Sequence, residues 1–149
     1  MSLRFSSALV VLGSVAFSLG CAPMPYRPNE DRVKELGVEK AKQDLKEMVM
    51  RSKAAGGGVV TSVEVTDDAL KLKAQQSSLG MFYQVETRQL ENEAYFPMLE
   101  RVDIYSNNWA YVYQGGRLVM QVLLATPEDA RSFADLMMSF HAHRKPASP

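Results

Sequence analysis

The sequence predicts an α+β fold in which an N-terminal helix precedes six or seven antiparallel strands and a C-terminal helix closes them. Three observations support this fold class. Apolar residues recur at helical spacing over 29–52, strand-like segments separated by turn dipeptides fill 59–125, and Thr126-Pro127 opens a second helical stretch. The chain has 149 residues, of which 46% are hydrophobic and 23% charged, which is typical of one folded domain rather than a disordered chain.

Residues 1–20 have the pattern of a secretory signal. Arg4 supplies the positive charge, and an apolar run from Phe5 to Leu19 follows it. About 15 residues of helix span only ~22 Å, which is less than the ~30 Å hydrocarbon core of a bilayer. The segment therefore predicts a cleaved signal rather than a permanent membrane span.

The four residues that end this segment, Ser18-Leu19-Gly20-Cys21, resemble the lipobox of bacterial lipoproteins, with Ser18 where leucine is usual. The resemblance implies cleavage before Cys21, a diacylglyceryl group on its thiol and acylation of its amine. Because Ala22 follows the cysteine, it also implies a lipid-anchored protein of the outer membrane that faces the periplasm. A plain signal peptide, or an uncleaved anchor with an incidental cysteine, is the alternative.

Residues 21–28 contain three prolines, which favour an extended tether. At ~3.1 Å per residue such a tether would hold the domain ~20 Å from the bilayer. The next unit, residues 29–58, is predicted to be a helix capped by Asn29, followed by a hinge at Gly56-Gly57-Gly58. Its apolar stripe would either pack on the sheet or bind a partner as a detachable arm.

A β-hairpin is predicted from Val59–Thr66 and Ala69–Gln75, with Asp67-Asp68 as its turn. With that turn, one face of the hairpin would be apolar and the other would carry pairs of opposite charges. The predicted cross-strand pairs are Val65–Leu70, Glu64–Lys71, Val63–Leu72, Ser62–Lys73 and Thr61–Ala74. We expect a turn over 76–80, a third strand over 81–90, a break at 91–93 and a short strand or loop over 95–99.

Three further strands are predicted over 101–106, 109–114 and 117–125, joined by tight turns at Asn107-Asn108 and Gly115-Gly116. Two-residue turns would pair Val102 with Tyr113 and Leu118, Ile104 with Tyr111 and Met120, and Ser106 with Trp109 and Val122. Trp109, Tyr111 and Tyr113 would then face the core, and Tyr105 the opposite, mixed face. Thr126 caps a helix predicted over 127–143, and residues 144–149 form a tail.

This order of elements over 59–143 resembles the pleckstrin-homology-like superfold. The matching part is the strand Trp109–Gln114, the Gly-Gly turn, the strand 117–125 and the capped helix that follows. The resemblance implies an antiparallel barrel or sandwich of two nearly orthogonal sheets, plugged by the last helix. Phosphoinositide-binding members use a basic loop between their first two strands, but Asp67-Asp68 would repel phosphate here, so we do not carry that ligand over. Another α+β arrangement is the alternative.

Composition and motifs exclude several classes of function. The 17 basic and 17 acidic residues balance, whereas nucleic-acid binders usually show a basic excess. One cysteine excludes an intramolecular disulfide and a Cys-based metal cluster. We assign the nine methionines to packing, and His141 and His143 to the end of a helix, so neither a metal nor another cofactor is expected.

No nucleophile motif or phosphate-binding loop is present, so we do not expect an enzyme. Catalysis would require carboxylates such as Glu86 and Asp103 to converge. We expect instead a non-catalytic envelope lipoprotein that binds an envelope protein or helps build an assembly, with Phe82 and Tyr105 as the candidate partner surface. The alternative is a periplasmic carrier of a lipid or small hydrophobic ligand in a cleft between helices and sheet.

Overall fold

The structure is a computed structural model that describes residues 22–80 and 84–144. Two predicted site residues, Cys21 and Phe82, lie outside these ranges. The helices are α1 (Arg32–Leu36), α2 (Val38–Met50) and α3 (Pro127–Arg144). The strands are β1 (Lys53–Ala54), β2 (Gly58–Val65), β3 (Ala69–Leu79), β4 (Val85–Tyr95), β5 (Leu99–Ile104), β6 (Trp109–Gln114) and β7 (Arg117–Leu123), with 3₁₀ turns at Ala55–Gly57 and Phe96–Met98.

The strands form one seven-stranded antiparallel sheet in the order β4-β3-β2-β1-β7-β6-β5. The α+β class, the antiparallel sheet and the C-terminal helix are therefore confirmed. A closed barrel does not form, because β4 and β5 are left as the two edges of the sheet. The two-residue strand β1 was not predicted from the sequence, although it joins β2 to β7 and so connects the two halves of the sheet.

The N-terminal helix predicted over 29–52 is two helices, separated at Gly37, which has a φ of 83°. Its apolar stripe is confirmed, since it is buried against the sheet and α3. The buried residues of the stripe are Val33, Ala41, Leu45, Met48 and Val49. In the structure the stripe therefore belongs to the core. The side chain of Asn29 accepts a hydrogen bond from the Asp31 N–H at 3.0 Å and does not cap the helix.

The register predicted for β2 and β3 is confirmed at four pairs, from Val65–Leu70 to Ser62–Lys73. The fifth pair was wrong, because a bulge at Thr61 places Val60 rather than Thr61 opposite Ala74. A bulge adds one residue to a strand, so it reverses the faces beyond it. Here it turns the apolar Val60 into the core and leaves Thr61 exposed.

The turn predicted over 76–80 and the break predicted at 91–93 were both wrong. β3 continues to Leu79, and β4 runs without interruption from Val85 to Tyr95. Acidic residues do not interrupt β4 because lysines of β3 lie opposite them and form ion pairs. These pairs are Lys71–Glu93 at 3.3 Å and Lys73–Glu91 at 3.0 Å. The segment predicted over 95–99 as a short strand or loop contains a 3₁₀ turn, Phe96–Met98, and Pro97 is the second residue of that turn.

The register predicted for β5 and β6 was wrong by one residue. Ile104 pairs with Ala110 and Asp103 with Tyr111, because a three-residue loop, 106–108, replaces the expected two-residue turn. Asn108 closes that loop with a φ of 65°. Since side chains alternate between faces, this shift moves the aromatic residues of β6 to the outer face. The buried residues of β5 and β6 are Leu99, Val102, Ile104, Ala110 and Val112.

The pairing of Tyr113 with Leu118 across the Gly115-Gly116 turn is confirmed. A bulge between Val112 and Tyr113 then shifts the register, so Tyr111 pairs with Gln121 and Trp109 with Leu123. The predicted Tyr111–Met120 and Trp109–Val122 pairs were therefore wrong. Met120 and Val122 face the core as predicted, but they pair with Val112 and Ala110.

Helix α3 covers the inner side of the sheet near β5 and the Phe96–Met98 turn. The Thr126 cap is confirmed, since its hydroxyl accepts the Asp129 N–H at 3.0 Å. Phe140 stacks on Phe96 with ring centroids 4.6 Å apart, and both rings are fully buried. The helix includes Arg144, which was predicted to belong to the tail.

Candidate functional site

Four aromatic residues, Tyr105, Trp109, Tyr111 and Tyr113, lie on the outer side of β5–β7, and we call them the outer aromatic face. All four are half-buried, and in part they cover one another. The centroids of Tyr105 and Tyr111 are 4.6 Å apart, and those of Trp109 and Tyr111 are 6.3 Å apart in an edge-on arrangement. Rigid amphipathic rings in such a cluster are typical of contact surfaces, because they offer both apolar area and hydrogen-bonding groups.

A charged pair borders this face. The guanidinium of Arg101 lies 4.0 Å from the ring centroid of Tyr113 and bonds the Asp103 carboxylate at 3.1 Å. The Glu100 carboxylate lies 3.2 Å from the same guanidinium, so the cation held over the ring is paired with two carboxylates. Desolvation raises the pKa of Tyr105 above its ordinary value, and the negative charge of the Asp103 carboxylate raises it further. The Tyr105 hydroxyl is therefore neutral at physiological pH.

The segment before α1 is docked on the domain. The Met24 N–H donates to the Ile104 carbonyl at the end of β5 at 2.7 Å, and Tyr26 donates its hydroxyl to Asp135 of α3 at 2.8 Å. Desolvation and the bond to Asp135 raise the pKa of Tyr26 to about 12, so this donor keeps its proton. The Asn29 N–H bonds the same carboxylate at 2.8 Å. Of the tether predicted over 21–28, residues 22–28 contain neither helix nor strand, and contacts from Met24 onward hold this segment against the body.

The distal halves of β3 and β4, residues 75–79 and 85–89, project from the body, and we call them the β3–β4 arm. Every residue of the arm is exposed except Gln76, which is half-buried and donates to the Gly56 carbonyl at 3.1 Å. Leu79 and Val85 pair across the strands near the end of the arm, with 72% and 70% of their surface exposed. Both faces of this ribbon are therefore available for contact.

Asp67, in the turn expected to repel phosphate, joins two helices to the sheet. Its carboxylate lies 2.6 Å from the Lys42 ammonium of α2 and 3.1 Å from the Arg144 guanidinium of α3. A hydrogen bond from Lys42 and the charge of that ammonium hold the pKa of Asp67 below its ordinary value. The C-terminal end of α3 is also fixed by His141, whose Nδ1 lies 2.9 Å from the Phe96 carbonyl oxygen.

The two carboxylates that an enzyme would have needed together, Glu86 and Asp103, lie on opposite edge strands of the sheet. The cleft between α2 and β2, of about 580 Å³, is open and lined mainly by lysines and glutamates. That lining does not favour a hydrophobic cargo. In 22–80 and 84–144, no helix is long and apolar enough to cross a membrane.

Of the two residues predicted to form a partner surface, the structure places Tyr105 in the outer aromatic face. Sequence reasoning assigned Trp109, Tyr111 and Tyr113 to the core and so missed the rest of this face. The signal that could have found them is Asn108, because asparagine accepts a positive φ and suits the last position of a three-residue hairpin loop. Comparison with protein-family models, curated proteins and solved structures returns no significant match.

Proposed function

We propose that this protein is a lipid-anchored, non-catalytic binding module of the bacterial envelope, and that the β3–β4 arm binds its protein partner. The observation that carries the proposal is the arm itself. A two-stranded ribbon without a packed face is marginal in water, because it buries little apolar surface. This arm extends over four residues beyond Gln75 on β3, which is about 14 Å at 3.4 Å per residue. A binding role explains why its apolar pair, Leu79 and Val85, is held away from the core.

The arm offers a partner two kinds of contact. β4 is an edge strand, so along the arm the described part of the chain leaves its outer backbone groups unpaired. A partner strand could add to this edge through main-chain hydrogen bonds, while Leu79 and Val85 supply apolar contacts. Phe82, which was selected from the sequence, belongs to the connection between β3 and β4 and stays a sequence-based prediction.

The location in the envelope rests on the lipobox resemblance at Ser18–Cys21. Fatty chains contribute about 0.8 kcal/mol per buried CH₂, so two or three of them anchor a domain stably. The pleckstrin-homology-like architecture over 59–143 is part of the same proposal. It is supported by the antiparallel strands and by the C-terminal helix packed against β5, whereas the open sheet departs from the barrel that the resemblance implies. Domains of this superfold mostly serve as binding platforms, but the fold alone does not fix the function.

Site-specific photocrosslinking in the native envelope tests the protein-binding role. A crosslinking residue at Thr87, on the arm, should give one discrete adduct with a second protein. The same group at Lys46, on the exposed side of α2, is the matched control and should not give that adduct. Adding Val85→Asp to the protein that carries the crosslinker at Thr87 should reduce the adduct, because a carboxylate in an apolar contact must be desolvated.

Val85 is exposed, so Val85→Asp should change the free energy of unfolding by no more than about 0.5 kcal/mol. An adduct that survives this substitution, or that also forms from Lys46, would contradict the assignment of the arm as the binding element. A Thr87 crosslinker that yields no adduct at native expression would contradict the protein-binding role altogether.

A further inference from the structure

The docked N-terminal segment fixes how far the domain can stand from its anchor. Met24 is bonded to the end of β5, and only Ala22 and Pro23 separate it from Cys21. Three residues of extended chain span at most ~11 Å. A lipid on Cys21 would therefore hold the end of β5 within about that distance of the bilayer. The free tether predicted from the sequence would instead have held the domain ~20 Å away.

Three aromatic residues occupy that end of the sheet, and we call Tyr105, Trp109 and Tyr111 the aromatic corner. Tyr105 directly follows Ile104, which accepts the Met24 N–H, and its own N–H bonds the Trp109 carbonyl at 2.9 Å. Tyr111 is the next aromatic residue of β6 and contacts the other two rings. The corner and the start of the docked segment are thus neighbours along β5.

We propose that the aromatic corner lies in the headgroup region of the bilayer that carries the Cys21 lipid, an inference that rests on the lipidation in the proposed function. Tyr and Trp favour this region because their rings are apolar and their O–H and N–H groups stay hydrated. Each headgroup region is roughly 5–8 Å thick, which is within reach of the ~11 Å connection.

One exposed cation beside the corner, Lys53, fits a phospholipid surface. Arg101, at its border, pairs with Asp103 at 3.1 Å and with Glu100 at 3.2 Å, which leaves one net negative charge in this cluster. Glu100 also accepts the Gly116 N–H, at the end of the β6–β7 hairpin away from the corner. Exposed Lys53 pairs with Leu123, which in turn pairs with Trp109, so the lysine lies on the same outer side of the sheet. An ammonium in this position would be attracted by anionic headgroups. The bound domain then has one orientation relative to the bilayer.

Trp109 is the only tryptophan of the chain, so its fluorescence reports this corner alone. The experiment uses the mature lipidated protein reconstituted into vesicles of phosphatidylethanolamine and phosphatidylglycerol, after its intact mass has shown the acyl chains. We expect the emission maximum to shift to shorter wavelength relative to detergent-free, delipidated protein. We also expect a loss of intensity when the vesicles contain lipids brominated near the headgroup.

The matched control is the double variant Trp109→Phe/Met98→Trp. Met98 is 63% exposed and stands just before β5, at the end of that strand away from Ile104. Six residues of strand separate the two positions by roughly 20 Å, so a tryptophan at 98 should be neither shifted nor quenched.

Unchanged Trp109 emission in a lipidated protein would overturn the inference and leave the anchor intact. Equal quenching at positions 98 and 109 would also overturn it, because the domain would have no fixed orientation. Quenching of the Trp109 fluorescence by iodide, which is soluble in water, tests a third outcome. If iodide quenches Trp109 in vesicles but not in native envelope membranes, a protein covers the corner and the bilayer assignment is wrong. An intact mass without acyl chains would instead overturn the proposed lipidation, and this inference with it.

Discussion

Replacing Ser139 with alanine should destabilise the protein by about 1–3 kcal/mol, which is the usual penalty for a buried hydrogen-bonding group left without a partner. The Ser139 hydroxyl of α3 accepts the Val33 N–H of α1 at 2.8 Å. Both residues are only 1% exposed, so water cannot replace the lost oxygen without opening the contact between the helices. A penalty of this size is a large fraction of the roughly 5–15 kcal/mol typical of whole domains.

Urea unfolding of the purified domain measures this change as a difference in free energy. The matched control is Ser132→Ala, a half-buried serine of the same helix, which gains the same helix propensity on substitution. We expect the Ser132 variant to stay within about 0.5 kcal/mol of wild type. Equal stabilities for the two variants would show that the Val33 N–H does not depend on Ser139 and that α1 is not docked as described.

Three further outcomes are expected. Phe96→Ala should cost about 3–5 kcal/mol in urea unfolding, because it leaves a cavity beside the stacked ring of Phe140. Asp67→Asn should lower stability at neutral pH. Since the folded pKa of Asp67 lies below its ordinary value of 3.8, the advantage of wild type should be present above that value and vanish as the pH falls through the lowered pKa. Tyr26→Phe should speed hydrogen exchange at the Met24 amide, because it removes the bond that holds this segment to α3.

The β2–β3 hairpin shows what the sequence determines locally. Two local signals favour the same register: the two-residue turn Asp67-Asp68, and the alternation of apolar and charged residues along both strands. Four of the predicted pairs form as a result. The Thr66 hydroxyl accepts the N–H groups of Asp68 and Ala69, which supports that tight turn. The bulge at Thr61 could not be predicted, because it reflects the match between β2 and the rest of the core rather than any local signal.

The β5–β6 hairpin shows why a one-residue error matters. Both faces of these strands carry large apolar or aromatic residues, so alternation alone does not choose which face is buried. The expected two-residue turn would have turned Trp109 and Tyr111 inward, whereas the three-residue loop turns them outward. The outward position of these aromatic residues, on which the membrane inference rests, was therefore not predicted, because the loop is one residue longer than expected.

Two parts of the candidate site depend on contacts between residues distant in sequence. The docking of Met24 and Tyr26 joins residues about 80 and 109 positions apart, which no local pattern indicates. The β3–β4 arm was predicted as a separate turn and strand, because its polar stretch lacks an apolar face. Its continuity depends on complete pairing of the two strands, from Ala69–Tyr95 to Leu79–Val85.

The measurement that tests the lipid anchor most directly is the intact mass of the protein extracted from its native membrane, beside a Cys21→Ala variant. We expect a wild-type chain that begins at Cys21 and carries the added mass of its acyl groups, and a variant that lacks this mass. An unmodified wild-type chain, with or without the first 20 residues, would show that Cys21 carries no lipid anchor.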